Sequence, residues 1–100
     1  VSTNVLIQGI GLEELSDEQF TLFPQPTTDL VNLNYNGSDL SGVVTVRFVD
    51  GLGKVVIEEA IDISELNAGR TWSIASWSAG TYFLQVQGEQ HFWQTPLIKQ

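Results

Sequence analysis

The chain has 100 residues, which suits a single domain with a modest core, and 42% of them are hydrophobic. It has no Cys, which excludes a disulfide framework and thiolate chemistry. Twelve acidic and four basic residues give a net charge of −8, which argues against nucleic acid and against docking on anionic lipid headgroups.

The first segment, residues 1–19, is acidic and weakly patterned. We expect a linker or the edge of a preceding domain there, with a strand at Asn4–Gln8 and one helical turn within Leu12–Gln19 capped by Ser16. The segment has neither an initial Met nor a signal peptide, so we expect the chain to be a fragment of a longer protein. The compact domain is expected over residues 20–100.

The rest of the chain is patterned as strands. Alternation with a period of two places apolar side chains on one face of three predicted strands. Those side chains are Val31, Leu33 and Tyr35, then Val44, Val46 and Phe48, then Tyr82, Leu84 and Val86. Further strands are predicted at Phe20–Phe23, Val55–Ile63, Thr71–Ile74 and His91–Ile98.

Turn chemistry separates these strands. Pro24–Asp29 contains two prolines, Asn36–Asp39 suits a loop, and Asp50–Lys54 suits a hairpin turn with a bulge. Ile63–Gly69 resembles Ile74–Gly80, and we interpret both as transitions from a strand to a turn. Strands at regular spacing predict an all-β fold, an antiparallel Greek-key immunoglobulin-like β-sandwich of about seven strands.

Four segments in order also resemble a known family. Phe20–Thr27 has an aromatic-leucine strand running into Pro-Gln-Pro-Thr, and Asp50–Val56 has an aspartate-to-Gly-Lys hairpin. Ser76–Val86 has a turn ending in Gly-Thr-Tyr, and Pro96–Gln100 reads Pro-Leu-Ile-Lys-Gln. Over about four-fifths of its length the chain resembles the C-terminal sorting domains of type IX secretion cargo.

Eight residues of this chain match the motifs of the family, and the resemblance implies that their roles are mostly structural. These positions are Pro24, Pro26, Thr27, Asp50, Gly53, Lys54, Gly80 and Tyr82. The chain departs from the family pattern at Gln25 in place of Asn, at Trp77 in place of Leu, and at Gly51-Leu52 in the hairpin. We expect Gly80 to adopt a positive φ, and Tyr82 to bury its ring and donate its hydroxyl to a loop.

The resemblance implies a non-enzymatic address signal. Such domains end secreted proteins of Bacteroidetes-type bacteria and carry an upstream passenger through the periplasm and outer membrane to the cell surface. The implied partners are the type IX translocon or its shuttle proteins and a sortase-like protease. That protease cuts the domain off as the passenger is joined to anionic lipopolysaccharide. We expect any cut in or upstream of residues 1–19, and no direct membrane insertion or cofactor.

The last strand is the predicted recognition element. Pro96 cannot donate a hydrogen bond within a sheet, which predicts an edge strand or a bulge there, and an exposed edge can pair with a partner strand. We therefore expect the translocon or its shuttle to contact Leu97, Ile98, Lys99 and Gln100. The alternative is that Leu97 and Ile98 only close the core.

Two other functions compete with sorting. Three tryptophans, Trp72, Trp77 and Trp93, could form a platform for sugar rings, so one alternative is a carbohydrate-binding or structural accessory module of a secreted enzyme. The more economical interpretation places all three in the core. The other alternative is a fibronectin-like spacer.

The candidate catalytic and metal-binding residues are few. Glu58 and Glu59 are adjacent in a strand, so they point to opposite faces and do not form a carboxylate pair. His91 is the one imidazole and has no catalytic partner in a recognisable arrangement. The sequence therefore predicts no catalytic residues, no metal site and no cofactor.

Overall fold

A computed structural model describes residues 13–100 and shows two β-sheets that enclose one core. Within these residues there are eight strands, a 3₁₀ turn at Asp17–Gln19 and a short helix, α1, at Ile63–Ala68. The strands are β1 (Glu13–Glu14), β2 (Phe20–Phe23), β3 (Leu30–Tyr35), β4 (Val43–Val49), β5 (Val55–Asp62), β6 (Arg70–Ser73), β7 (Gly80–Gln87) and β8 (His91–Lys99). The strand predicted at Asn4–Gln8 lies outside the described residues.

The two sheets have the topology of an immunoglobulin-like sandwich. The five-stranded sheet has the order β1-β8-β7-β4-β5, and the three-stranded sheet has the order β2-β3-β6. All pairings are antiparallel except that of β1 with β8. The chain crosses from one sheet to the other after β1, β3, β5 and β6, and the two sheets form the predicted β-sandwich.

The core follows the alternation that the sequence shows. All nine apolar side chains predicted to face inward on β3, β4 and β7 are buried. They pack with Leu15, Phe20, Ile61, Leu66 and others into one cluster. Because each of these strands has one solvated face, a period of two was enough to identify its buried residues.

The segment Ile63–Gly69 differs from the prediction of a simple turn, because Ile63–Ala68 forms α1. The carboxylate of Asp62 caps the helix by accepting from the Ser64 backbone N–H at 3.0 Å. Gly69 follows the helix with a φ of 98°, a conformation that favours glycine. Leu66 then points into the core and anchors the helix there.

Asp62 is expected to make stability depend on pH. The backbone N–H of Ser64, followed by its side chain, lowers the pKa of Asp62 below its ordinary value of 3.8. The cap therefore stabilises the fold above that value and is lost as the pH falls through the folded pKa. Asp62→Asn keeps a capping side chain that does not titrate. At about pH 7 we expect wild type to have a higher Tm than Asp62→Asn, and at about pH 2 we expect this difference in Tm to disappear. A constant difference would contradict this.

The described part of the predicted linker contacts the sandwich. β1 pairs with the start of β8, with the Glu13 and Leu15 backbone N–H groups donating to the Gln90 and Phe92 carbonyls at 2.8 Å. Leu15 is buried, and Ser16 caps the 3₁₀ turn as predicted. Residues 13–19 are thus held against the fold, while the domain boundary at residue 19 stays a prediction.

Candidate functional site

The final strand, β8, divides the four predicted recognition residues between two environments. Leu97 pairs with Tyr82 on β7 and is 0% exposed, and Lys99 is 8% exposed. The Lys99 Nζ donates to the Gln100 carbonyl at 3.0 Å. Ile98 faces the other way and is 40% exposed. The Leu97 side chain therefore belongs to the core, and the Lys99 side chain is buried against the terminal residue. Ile98 and Gln100 are the exposed members.

The outer edge of β8 is covered near its end by Gln25 and Thr27, and we call these two residues the edge clamp. The Gln25 Nε2 donates to the Pro96 carbonyl at 3.0 Å, and its Oε1 accepts from the Ile98 N–H at 2.9 Å. The Thr27 N–H donates to the Ile98 carbonyl at 2.9 Å, and its carbonyl accepts from the Gln100 N–H at 2.8 Å. The side-chain amide of Gln25 and the backbone of Thr27 thus make the hydrogen bonds that a neighbouring strand would otherwise make.

The edge clamp corrects the expectation of an open edge. Pro96 does lie at the sheet edge as predicted, with its missing N–H on the outer side. However, the outward backbone groups of Pro96, Ile98 and Gln100 that could pair with a partner strand are already bonded to Gln25 and Thr27. A partner that contacts the folded domain here therefore meets side chains instead of a free backbone edge.

Gln25→Ala is expected to expose the Ile98 amide. The substitution removes two hydrogen bonds to solvent-accessible backbone groups, so we expect the free energy of unfolding to fall by about 1 kcal/mol. Hydrogen exchange followed by NMR should show faster exchange at Ile98. The Gln100 amide, held by Thr27, is the internal control and should keep its rate. Unchanged exchange at Ile98 would disprove the clamp.

The hairpin between β4 and β5 has the predicted turn and bulge. The Asp50 carboxylate accepts from the backbone N–H groups of Leu52 and Lys54, both at 2.9 Å. Gly53 has a φ of 87°, and the register shifts beyond Phe48. The roles of Asp50 and Gly53 are therefore to shape the turn, which leaves Leu52 and Lys54 pointing into solvent.

The turn before β7 is held by Gly80 and Tyr82. Gly80 has the predicted positive φ, at 151°. The ring of Tyr82 is buried, and its hydroxyl donates to the Ser78 carbonyl at 2.7 Å. This geometry, which the sequence predicts, ties the loop to the strand that follows it.

Pro24 and Pro26 both follow cis peptide bonds, and Thr27 is buried with its hydroxyl donating to the Leu30 carbonyl.

The three tryptophans contact the core and form no exposed platform. Trp93 is buried and stacks on Phe20 with 3.9 Å between ring centroids. Trp72 is buried, and Trp77 is half-buried against Phe48. The rings on which the carbohydrate-binding alternative depends are therefore used for packing.

The polar groups considered for catalysis each lie against a charged or polar partner. Glu58 pairs with Arg47 at 3.0 Å on the outer face, whereas Glu59 accepts from Arg70 at 3.2 Å and from the Trp72 Nε1 at 2.7 Å. His91 lies 3.1 Å from a Glu13 carboxylate oxygen. In residues 13–100 no group of three or more metal-binding side chains comes together. No helix in the same part of the chain is long and apolar enough to span a membrane.

Comparison with known proteins adds a family and a fold. The family model described as "Secretion system C-terminal sorting domain" matches residues 21–100. A DUF3244 family protein from Bacteroides vulgatus, with an immunoglobulin-like β-sandwich fold, is similar at 27% identity and a TM-score of 0.66 over 82% of this chain and 84% of that one. The sulfur carrier protein SoxY from Chlorobium limicola f thiosulfatophilum shares only the fold, at 6% identity and a TM-score of 0.57 over 98% and 94%. No curated protein matches.

Proposed function

Because this chain belongs to the secretion system C-terminal sorting domain family, we propose that it directs an upstream passenger across the outer membrane by type IX secretion, with removal of the domain and attachment of the passenger at the cell surface. The observation that carries the proposal is the family match over residues 21–100. The family itself connects the chain to the type IX machinery and to a secreted or cell-surface protein. The route, the cleavage and the attachment are the proposed steps.

The folded domain must be recognised through its surface. Ile98 presents an apolar side chain beside the edge clamp, and Gln100 is exposed next to it. Leu97 supports this contact from within by packing β8 on the core, and Lys99 supports it by donating from Nζ to the Gln100 carbonyl. We therefore assign direct contact with the translocon or its shuttle to Ile98 and Gln100, and a positioning role to Leu97 and Lys99.

Export of a reporter tests the sorting role. A periplasm-targeted fluorescent protein fused to residues 1–100 should reach the medium or cell surface of a type IX-competent bacterium. Ile98→Ser changes only an exposed side chain, so the domain should stay folded while export falls. Retention of the unmodified fusion, with a folded domain and an active secretion system, would contradict the sorting role.

The proposed cleavage falls on the N-terminal side of Glu13. A protease needs an extended stretch of accessible backbone, but the backbone of Glu13 and Leu15 is bonded to β8 and Leu15 is buried. We expect mass spectrometry of the domain released during export to find a first residue no later than Glu13. A released domain that begins within residues 14–19 would contradict this, since β1 would then have been cut while folded.

A further inference from the structure

Four polar side chains on the outer face of the five-stranded sheet hydrogen-bond to one another, and we call them the polar row. Arg47 donates to Glu58 at 3.0 Å and to Gln85 at 3.3 Å, and the Gln85 amide donates to Gln94 at 2.7 Å. These four side chains come from four strands, β5, β4, β7 and β8. Because the groups in the row bond to one another, the row offers little binding energy to a partner.

Beside the polar row, the same face is apolar. Pro96 lies opposite Phe83, Phe83 lies opposite Val49, and Val49 faces the bulge formed by Val55 and Val56. Val49 is only 8% exposed although it lies on the outer face, so its apolar neighbours cover it. An apolar strip therefore crosses four strands without interruption.

The strip continues into the terminal segment and the hairpin turn. Thr81 lies opposite Ile98, and a methyl group placed on Gly51 would lie 3.5 Å from the Thr81 carbonyl oxygen. Leu52 follows Gly51, so the turn brings it to the same end of the sheet. We call this surface the apolar band, and its members are Leu52, Val55, Val56, Phe83, Pro96 and Ile98.

The apolar band holds four of the seven large hydrophobic side chains that are exposed within residues 13–100. Leu52 is 96% exposed, Val55 44% and Val56 39%, and Ile98 adds 40%. Large apolar side chains scattered singly on a surface are common, but a contiguous group of them marks an interaction site. The polar row on one side gives this group a defined border.

We propose that the apolar band is the docking surface for a protein partner that carries a matching apolar patch with a carboxylate at its border. The proposal rests on the sorting function, because the band contains Ile98, and it extends recognition from the terminal segment to the hairpin. Within residues 13–100, Lys54 is the basic residue whose side chain makes no hydrogen bond or ion pair. It lies in the hairpin turn next to the band, where it can pair with an acidic group.

Charge favours this occupant over two others. The net charge of −8 makes two copies of the chain repel each other, and it also repels anionic lipid headgroups. A single carboxylate contributed by the partner can instead pair with Lys54, whereas the Glu58 carboxylate on the same face of the sheet is already paired with Arg47.

The test uses matched pairs of substitutions in the exported reporter fusion. Leu52→Ser combined with Val56→Thr removes two members of the band. Leu30→Ser combined with Val43→Thr makes the same changes at positions 51% and 63% exposed outside it. We expect the first pair to lower export about tenfold, which corresponds to about 1.4 kcal/mol of lost binding free energy, and the control pair to export like wild type. Lys54→Glu should lower export, and Lys54→Arg should not.

The outcomes separate this inference from the sorting function. Equal export of the band and control variants, with the unmodified fusion exported, would overturn the docking surface and leave the sorting role intact. Failure of the unmodified fusion would count against the sorting role itself. Thermal unfolding checks that each variant folds. If the double variant does not fold, Leu52→Ser alone replaces it in the test, because Leu52 lies in an exposed turn. A dimer lost with Leu52→Ser in sedimentation, or flotation with phosphatidylglycerol vesicles, would also overturn the proposed occupant.

Discussion

Replacing Leu97 with alanine is expected to lower the free energy of unfolding by about 2–5 kcal/mol. Leu97 is fully buried opposite Tyr82, so the substitution leaves a cavity between β8 and the core. A domain of this size has a total stability of about 5–15 kcal/mol, so a large share of it would be lost. Urea unfolding followed by tryptophan fluorescence measures the change.

The neighbouring residue provides the control for Leu97. Ile98→Ala removes an outward, 40% exposed side chain and should cost less than about 1 kcal/mol. Equal losses for the two variants would contradict the orientation of β8. The contrast also matters for export, because deleting residues 97–100 would remove Leu97 together with the pairing to Gly80, Thr81 and Tyr82. Loss of export after that deletion would report unfolding as much as lost recognition.

Trp93→Ala is expected to destabilise the domain by about 3–5 kcal/mol. The ring of Trp93 is buried, stacks parallel to Phe20 at an angle of 6°, and donates from Nε1 to Asp17 at 2.7 Å. The substitution therefore removes core volume and releases the 3₁₀ turn from the sandwich. Equilibrium unfolding in urea, followed by circular dichroism, gives the magnitude.

Trp93→Phe separates the two contributions of this side chain. It keeps an aromatic ring against Phe20 but loses the hydrogen bond to Asp17, so a smaller loss of about 1–3 kcal/mol is expected. If Trp93→Ala left the stability unchanged and abolished binding to an immobilised glycan, the result would support the carbohydrate-binding alternative.

The sandwich could be predicted because its main strands each have one buried and one solvated face. The inward residues of β3, β4 and β7 follow from a period of two alone. Helix α1 could not be found in this way, since six residues give too few turns to show a helical period. Its sequence signal was the cap, with Asp62 before the helix and Gly69 after it. β1 has two residues, and its place beside β8 depends on tertiary contacts such as that of Leu15.

The candidate site was predicted in position but not in detail. The sequence singled out Leu97 to Gln100, and burial then divides them into interior and exposed members. The edge clamp joins positions 71 and 73 residues apart through a side-chain amide, and no local pattern encodes such a contact. The apolar band was missed for a similar reason, because cross-strand register decides which residues of β4, β5, β7 and β8 become neighbours.

The edge clamp has a consequence for when the address can be recognised. Gln25 lies 71 and 73 residues from its partners Pro96 and Ile98, and contacts between such distant parts of a chain form slowly during folding. A short peptide with the sequence of the last strand lacks both the clamp and the sheet that orients Ile98. On the proposed function, the secretion machinery can therefore recognise this surface only on the folded domain. Export then depends on complete folding of the domain as well as on its sequence.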